Sequence, residues 1–516
     1  MSRWILRALL LTALVTQATQ FASAQPFVEW EYVWGGTESE WFAAVDVTPD
    51  GRIVAAGMTV PDFESGRDGL LSRLSTAGGL DPTWSRSPRI VGSEESECFE
   101  AVQVTRDGGV LAAGATTLIS GFYIARFDSS GELWSDWLQN PLMLGWSGTS
   151  MATGILETDD GGCVVVGWNS PRGVDSIRVF VLKLDSTGRP DRAWAQNPRI
   201  YGGADLRLRP YAMCEASAGG YVIAGDSGPR AFFLRVDEHG ELNSNWLENP
   251  LIYTRGYVDN ARSIAETADG SFVAAGWGSP QQGVSSDVLV LKLNDEGVLD
   301  PSWEVNPRTF GESYHEETYA VRPTDDGGLL VGGITWDERT SRNDWYLAKL
   351  DASGEFDASW PENPIVYRTA RDMRLWDLAT LPDGGFAAVG SVRAFGAGRE
   401  DAYVVKFSSQ PRRFVRGDAN ADGVVNLTDG IATLEWLFAG ASPPPCLEAA
   451  DVDASRRIDL ADAVAVFQWL FAEQSELIAS PAPSSAAYGS EDCGTDETLR
   501  GTRWGCESLS PSCSDT

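Results

Sequence analysis

The stretch Thr267-Ala268-Asp269-Gly270-Ser271-Phe272-Val273-Ala274-Ala275-Gly276 decides the fold of this 516-residue chain. Asp-Gly tolerates the positive φ angles of a tight hairpin turn, and the small and β-branched residues beyond it suit a returning strand. The stretch therefore predicts two antiparallel strands, one ending at Thr267 and one running to Gly276. The same words return as TPDGRIVAAG (48–57), TRDGGVLAAG (105–114), TDDGGCVVVG (158–167), SAGGYVIAG (217–225), TDDGGLLVGG (324–333) and LPDGGFAAVG (381–390). Seven copies recur about every 50–60 residues, a period that suits propeller blades.

Each unit continues past its glycine in the same grammar. A variable loop precedes an alternating strand such as Asp287-Val288-Leu289-Val290-Leu291-Lys292-Leu293. A turn and a Gly-x-Leu-x-x-x-Trp-x-x-Asn-Pro phrase follow, centred on Trp84, Trp137, Trp194, Trp246, Trp303 and Trp360, with Ser87 replacing the asparagine in the first copy and Pro190 the leucine in the third. A short last strand, such as Arg199-Ile200-Tyr201-Gly202, completes four strands per unit. One such sheet cannot bury both faces, and radial stacking of seven sheets buries them; the reading is a mainly-β, seven-bladed β-propeller. The last unit lacks its final strand and passes into Ser408-Ser409-Gln410-Pro411, while Phe27–Gly36 precedes the first hairpin as an unassigned strand. Phe27–Gly36 is therefore expected to complete the seventh blade and to remove the open edges of the ring.

The DG(G/S)-x-x-x-x-(A/G)-G hairpin and the (L/V)-x-(K/R)-(L/F)-(D/N)-x-x-G strand and turn resemble the secreted bacterial seven-bladed β-propeller repeats and the related delta-sixty repeats, over roughly residues 27–410. The resemblance implies the fold and no particular ligand, because this fold hosts many activities.

The N-terminus reads as a secretory signal over residues 1–24. Arg3 and Arg7 precede the apolar run Ala8–Val15, and Ala22-Ser23-Ala24 offers small residues for cleavage, leaving a propeller over 25–410. The net charge of −33 argues against nucleic acid or an anionic membrane as partner. Cys98, Cys163 and Cys214 fall in the repeats and read as small buried hydrophobes. An exported protein favours pairing of Cys446, Cys493, Cys506 and Cys513; three pairings are open, of which Cys446–Cys493 with Cys506–Cys513 is preferred.

Catalytic signals are thin, and no catalytic residue is assigned. His315, beside Tyr314 and Glu316, is the single acid–base candidate, and His239 fills a turn. Gly225-Asp226-Ser227-Gly228 has the look of a nucleophile loop but lies on a hairpin exit without triad partners. Between units, Glu38, Glu40, Glu94, Glu95, Glu97, Glu312, Glu316 and Glu317 make acidic stretches of a solvated rim. Arg207, Arg209, Arg255, Arg262, Arg368, Arg371 and Arg374 make basic ones. Trp168, Trp277 and Trp336 lie just beyond the hairpin strand and read as wedges between blades, with stacking on sugar rings as the functional alternative.

From residue 411 the grammar changes. Asp418, Asn420, Asp422, Asn426 and Asp429 place oxygen side chains at alternating loop positions, Gly423 makes a sharp turn, and Val424 offers its carbonyl, which is the pattern of a calcium loop. A helix follows with Ile431, Leu434, Leu437 and Phe438 expected on one apolar face. A second copy places Asp451, Asp453, Ser455, Arg457 (through its carbonyl), Asp459 and Asp462 in register, ahead of a helix bearing Val464, Phe467, Leu470 and Phe471. The pair resembles a type I dockerin, over about residues 415–474 of a region assigned to 411–474, and is similar to dockerin-like modules of secreted planctomycete-type proteins. The resemblance implies calcium as cofactor. It also implies a protein partner, cohesin-like in chemistry, at Leu427, Thr428, Leu460 and Ala461. Ser455 and Arg456 depart from the pattern in the second loop, so the first loop is expected to bind more tightly. Residues 475–516 read as an Ala/Ser/Pro linker and a cysteine-bearing tail.

The expected function is binding: an exported protein whose propeller recognises a polymer or protein and whose tail attaches it to a partner through calcium. Polysaccharide cleavage by a glycoside hydrolase or lyase is the alternative, and a structural envelope role is the second.

Overall fold

A computed structural model describes residues 26–479, apart from 37, 61–65, 94, 282–284, 312–314, 338–340, 370, 394–398, 409–414, 443, 456 and 473–477. The signal, the linker and tail apart from Ile478 and Ala479, and Cys493, Cys506, Cys513, Tyr314 and Arg456 lie outside the described residues. Seven antiparallel sheets follow one another along the chain as the blades of a β-propeller, and a small helical region follows them. In six sheets the strands take sequence order from the channel outward. In the seventh, Met373–Thr380, Phe386–Arg393 and Glu400–Ser408 are joined by Phe27–Trp34 as the outermost strand. Phe27–Trp34 runs antiparallel to Glu400–Ser408, from Phe27 opposite Ser408 to Trp34 opposite Ala402.

The recurring words of the sequence are each answered by a local requirement. The hairpin loop is longer than a two-residue Asp-Gly turn: in the fifth blade it spans Thr267 to Ser271, with Thr267 N donating to Ser271 O at 2.8 Å and Gly270 N to Thr267 O at 2.9 Å. Only Gly270 there takes a positive φ, +80°, and Asp269 serves as an acceptor for Thr267 Oγ1 and Ser271 N. Asp269 also receives the buried Lys292 ammonium at 2.6 Å; Lys183–Asp160, Lys349–Asp326 and Lys406–Asp383 repeat that pair in other blades. The asparagine of the Trp-x-x-Asn-Pro phrase is a double clamp. Asn249 Oδ1 accepts from Arg235 N at 3.1 Å, and its Nδ2 donates to Arg235 O at 2.7 Å and Asn243 O at 3.0 Å. Ser87, the one exception, reaches both the N and O of Arg73 at 3.2 Å with its single hydroxyl. Asn249→Ala strands three backbone groups, so it is expected to cost about 2–3 kcal/mol in urea unfolding, with the m-value unchanged.

The six phrase tryptophans are buried and act between blades. Trp194 Nε1 donates to Glu238 O at 3.0 Å and Trp303 Nε1 to Ala352 O at 2.9 Å, each in the next unit. Trp30, in the N-terminal strand, makes the same contact from the seventh blade to the first, donating to Thr76 O at 2.9 Å. The ring is thus closed twice, by a strand and by a tryptophan.

The strands nearest the axis carry the feature that shapes the channel. Each of Glu40–Val47, Glu97–Val104, Thr149–Glu157, Arg209–Glu215, His315–Pro323 and Met373–Thr380 has a register shift that opposes two of its residues to one. The fifth blade breaks there instead, into Val258–Asp259 and Ser263–Glu266. The bulge presses the inner strand's backbone against the second strand, which is why the repeat ends in glycine. A Cβ on Gly57 would lie 1.9 Å from Trp41 O. The extra residue of a bulge is re-aimed away from the ladder. Ala43, Glu100, Thr153, Tyr211, Tyr319 and Trp376 occupy that place, with Arg262 in the fifth blade, and all seven line the channel.

The acidic inter-unit stretches are not a solvated rim throughout. Glu40, Glu97 and Glu316 are buried, 1–2 % exposed. Glu97 accepts from Ser93 N, Ser93 Oγ and Thr116 Oγ1, and Glu40 from Gly36 N and Thr59 Oγ1. They hold the loops between blades.

Candidate functional site

The inner strands enclose a cavity of 540 Å³ on the propeller axis. At the end where the inner strands begin, a ladder of cations and rings crosses the third to seventh blades. The Arg209 guanidinium lies 4.9 Å from the Trp168 ring and 5.6 Å from the Tyr211 ring. Arg262 lies 3.7 Å from Tyr211 and 4.5 Å from Trp277. Trp277 meets Tyr319 at 5.7 Å, and Tyr319 meets Trp376 edge-on at 5.0 Å. Each cation–ring contact is worth about 0.5–2 kcal/mol and fixes the guanidinium plane. Trp168 and Trp277 are half-buried, and each lies between neighbouring blades, Trp168 against Arg209 of the fourth and Trp277 against Tyr319 of the sixth, while also partnering an arginine. Trp336 is half-buried on the sixth blade, opposite His315.

Two carboxylates belong to the ladder. Tyr211 donates to Asp226 Oδ2 at 2.5 Å, and Tyr319 donates to Glu317. Burial raises the Asp226 pKa against the opposing pull of Tyr211, Arg262 and Arg209, and burial pushes the Tyr211 hydroxyl up to about 12. Neither Arg209 nor Arg262 forms an ion pair within 4.0 Å or a side-chain hydrogen bond among the described residues, and Nε of each is buried without an acceptor. Thr153 Oγ1, Trp168 Nε1 and Trp376 Nε1 are likewise buried and unsatisfied. Four of the other five arginines of the sequence-predicted basic stretches have acidic neighbours: Arg207 with Asp175, Arg255 with Asp259, Arg368 with Asp344 and Arg374 with Glu400.

Deeper in the channel the polar groups are spent on holding the ring. Asp46 accepts from Val104 N of the next blade at 2.7 Å, and Asp377 accepts from Val45 N at 3.0 Å. Arg322 pairs with Asp377 and donates to Ser263 Oγ at 3.1 Å. Burial raises the Asp46 pKa to about 6 against the Val104 and Val47 amides and Arg322. His315 stands exposed at the start of its strand with Nδ1 3.3 Å from Ser286 N, and His239 is exposed in its turn. Neither histidine lines the channel. Sequence reading named Arg209, Arg262, Trp168 and Trp277 but missed Tyr211, Tyr319 and Trp376. A signal existed: each bulge residue stands at one fixed distance before the hairpin's closing glycine, as Arg262 does before Gly276.

The helical region holds the second candidate site. α1 (Leu427–Ala439) follows the first acidic loop, α2 (Leu447–Ala450) precedes the second, and α3 (Leu460–Ala472) follows it. In the first loop Asp418 accepts from Asp422 N and Gly423 N, and Asp429 accepts from Asn420 N and Asn426 N. Asn426 caps α1 through Thr428 N, and its Nδ2 donates to Val424 O. In the second loop Asp451 accepts from Ser455 N, and Asp462 from Val452 N and Asp459 N. Ser455 donates to Arg457 O, and Asp459 accepts from Ala461 N. Asp451, Asp453 and Asp462 each offer a carboxylate oxygen within 4.8 Å of the others, the one such cluster among the described residues. Hard carboxylate oxygens at this spacing suit a divalent cation of the calcium type. Burial raises Asp429 to about 7, with the Asp418 and Asp422 charges adding to it, and burial raises Asp462 to about 6, with Asp453 adding to it. A bound cation would relieve that repulsion.

The helix faces differ from the sequence expectation. Ile431 and Val464 are exposed, and Phe438 and Phe471 are 72 % and 73 % exposed. α1 buries Gly430 and Thr433 instead, because a Cβ on Gly430 would meet the Phe467 ring at 2.3 Å and only a bare backbone fits there. Leu427 and Leu460 extend the outward apolar stripe at the start of each helix, 47 % and 51 % exposed, beside the exposed Thr428 and Ala461. Cys446 is disulfide-bonded, whereas Cys98, Cys163 and Cys214 are free, and burial raises all three of those thiols. No helix among the described residues is long and apolar enough to cross a membrane.

Residues 48–83, 267–302 and 324–359 match a family described as a domain of unknown function (DUF5122) beta-propeller. No curated protein matches the chain. Among solved structures, virginiamycin B lyase from Staphylococcus aureus is similar at 12 % identity and a TM-score of 0.43, over 73 % of this chain and 99 % of that one. The α-L-arabinanase of Penicillium chrysogenum is similar at 10 % identity and a TM-score of 0.40, over 75 % and 99 %. Sqt1 of Chaetomium thermophilum is similar at 10 % identity and a TM-score of 0.39, over 74 % and 100 %. Enzymes and a binding protein stand side by side here, so the likeness assigns no activity. The chain is a seven-bladed β-propeller followed by a small helical region with an acidic cluster able to chelate a metal.

Proposed function

We propose that this is an exported binding protein whose propeller recognises a polymer or protein ligand at the channel entrance. Its helical tail, a dockerin-like module of the secreted propeller proteins it resembles, attaches to a protein partner when calcium is bound. The observation that carries the reading is the ladder itself. Two guanidinium groups are clamped by aromatic rings and make no ion pair within 4.0 Å among the described residues, so they are ordered before any ligand arrives. The tail adds an apolar stripe repeated on two helices, in which Leu427, Thr428, Leu460 and Ala461 would meet the partner. Calcium would be held by Asp418, Asn420, Asp422, Val424, Asn426 and Asp429, and by Asp451, Asp453, Ser455, Arg457, Asp459 and Asp462.

Pull-down of glycan and cell-wall fractions by the full chain tests the reading, with Trp376→Ala as the comparison. Capture by the wild type and a loss of about tenfold or more in Trp376→Ala, at an unchanged melting temperature, is the expected result. Equal capture by both proteins would place the ligand elsewhere.

Polysaccharide cleavage is the second reading, and Asp226 is its specific support. Its carboxyl is raised by burial and stands at the entrance in a hydrogen bond with Tyr211, as a proton donor to a glycosidic oxygen would. Release of sugar ends in the same tubes, abolished by Asp226→Asn while capture persists, would favour it over simple binding.

A further inference from the structure

Every blade but one sets a carboxylate against the cation of its third strand. In the third blade the hairpin residue Asp160 bridges Lys183 Nζ at 2.8 Å and Gly162 N at 2.9 Å. Asp107, Asp269, Asp326 and Asp383 bridge cation and hairpin amide in the same way in the second, fifth, sixth and seventh blades. In the first blade Asp81, beyond the third strand, holds Arg73 at 2.7 Å. The fourth blade has Arg235 at this place, but Ala218 stands at the hairpin position and Asn243 at that of Asp81. Arg235 is 2 % exposed and forms no ion pair within 4.0 Å among the described residues, and its Nε is buried without an acceptor. Arg235 donates from Nη1 to Asp295 O at 2.7 Å and lies 5.4 Å from the Phe272 ring. That carbonyl does not stand in for a carboxylate. Arg73 and Arg126 also donate to a carbonyl of the next blade, Ser129 O and Gly161 O, and each keeps its aspartate. Glu266 of the fifth blade reaches the same hairpin but bonds Ser217 N and Oγ, both at 2.8 Å.

A buried charge without a partner is costly, and the fold meets that cost with a carboxylate in the six other blades. We infer that Arg235 binds a carboxylate from outside the blade, at the place where the other blades supply their own. The place is open to solvent, since the hairpin aspartates that fill it elsewhere are 40–55 % exposed. Ala218 is too short to fill it, and a Cβ on Gly219 would meet nothing within 4 Å. Gly220 N, the counterpart of the Gly162 amide, makes no hydrogen bond among the described residues. Asp295 O and the Phe272 ring hold the guanidinium in place, so its planar fork is ordered in advance. The ligand is a carboxylate on a narrow carrier, as the side chain of Asp160 is, either free in solution or borne by an acidic residue of a protein. The hairpins stand where the inner strands end, at the opposite end of the propeller from the channel entrance. The inference is therefore independent of what the entrance binds.

Acetate is the first probe, its methyl line followed by NMR as it is titrated into the full chain, with chloride as competitor. The second is a blocked Gly-Asp-Gly peptide. The wild type is expected to hold acetate at a saturable site of roughly millimolar affinity that weakens as salt rises. Ala218→Asp and, independently, Asn243→Asp supply a carboxylate within the blade, so each should lower that affinity by about tenfold or more. Each should also melt above the wild type in acetate-free buffer and gain less from added acetate, because the site is already filled. Arg235→Met should abolish the site, and its melting curve shows whether it has kept its fold; the two aspartate variants keep the test decisive if it has not. Tighter binding of the peptide than of acetate assigns the carboxylate to a protein side chain, and the reverse assigns it to a small free acid. Acetate binding and melting left unchanged by both aspartate variants would overturn the inference. Chloride that competes as well as unlabelled acetate would overturn the carboxylate assignment.

Discussion

A chain lacking residues 26–36 is expected to associate and to lose the single cooperative melting of the ring. The deleted strand covers the edge of Glu400–Ser408 from Ala402 to Ser408, so its loss exposes a row of unpaired backbone groups that other copies can pair with. It also removes Glu29, which pairs with the buried Lys406 at 2.9 Å, and Glu31, which accepts from Tyr367. Lys406 would keep Asp383 at 2.7 Å as its remaining carboxylate. Trp30 would vanish from the turn of the first blade, leaving the interface between the first and seventh blades without its tryptophan. The combined cost is expected to exceed about 5 kcal/mol, since it joins strand pairing, apolar burial and a weakened buried ion pair. Calorimetry and light scattering measure it, and a synthetic peptide of residues 26–36 should restore part of the lost transition. A monomeric truncated chain with wild-type melting would show that closure is carried elsewhere.

The fold was legible because each repeated word meets a local demand that no other residue type meets as well. Gly57 must lie against Trp41 O, Asn249 must serve both backbone groups of Arg235, and Lys292 must find Asp269 across the hairpin. Repetition then turned local demands into topology, and the unpaired Phe27–Gly36 could be matched to the incomplete last unit. The entrance was less legible because its residues differ from blade to blade. Ala43, Glu100, Thr153, Tyr211, Arg262, Tyr319 and Trp376 share no chemistry, so only their fixed distance before the closing glycine, and no residue motif, reveals that they converge. The burial of Glu40, Glu97 and Glu316 escaped notice for another reason. A carboxylate that satisfies loop amides and hydroxyls looks in sequence like one that faces water. In the tail, periodicity placed Ile431 and Phe438 on the inner face, but close helix packing selected Gly430 and Thr433, whose small size periodicity does not weigh.

Chelation of calcium is expected to abolish the helical signal of residues 427–472 while leaving the propeller transition in place. The region has a small apolar core, with Val415, Val425, Val452, Val466 and Ile478 as its main members, and it buries Asp418, Asp429, Asp451 and Asp462 beside one another's loops. Carboxylates held that way repel, and a cation that binds only the folded form stabilises it by about 2.7 kcal/mol at a hundredfold excess over its dissociation constant. Two substitutions in the second loop separate metal binding from folding. Asp453 is exposed and belongs to the triad with Asp451 and Asp462, so Asp453→Ala should weaken binding yet leave the helices intact in saturating calcium. Asp451 has a second task. Arg416 is fully buried, donates to the Asp451 carbonyl and lies 3.9 Å from its carboxylate. Asp451→Ala therefore also removes one counter-charge from a buried guanidinium, a loss that calcium does not restore. Sequence alone ranked the first loop as tighter. On these contacts Asp451→Ala is expected to damage folding more than Asp453→Ala, whichever loop binds first. Circular dichroism of the full chain and its two variants, with and without chelator, decides the matter: unchanged helicity on chelation removes calcium from the fold, and equal behaviour of the two variants removes Arg416 from the argument.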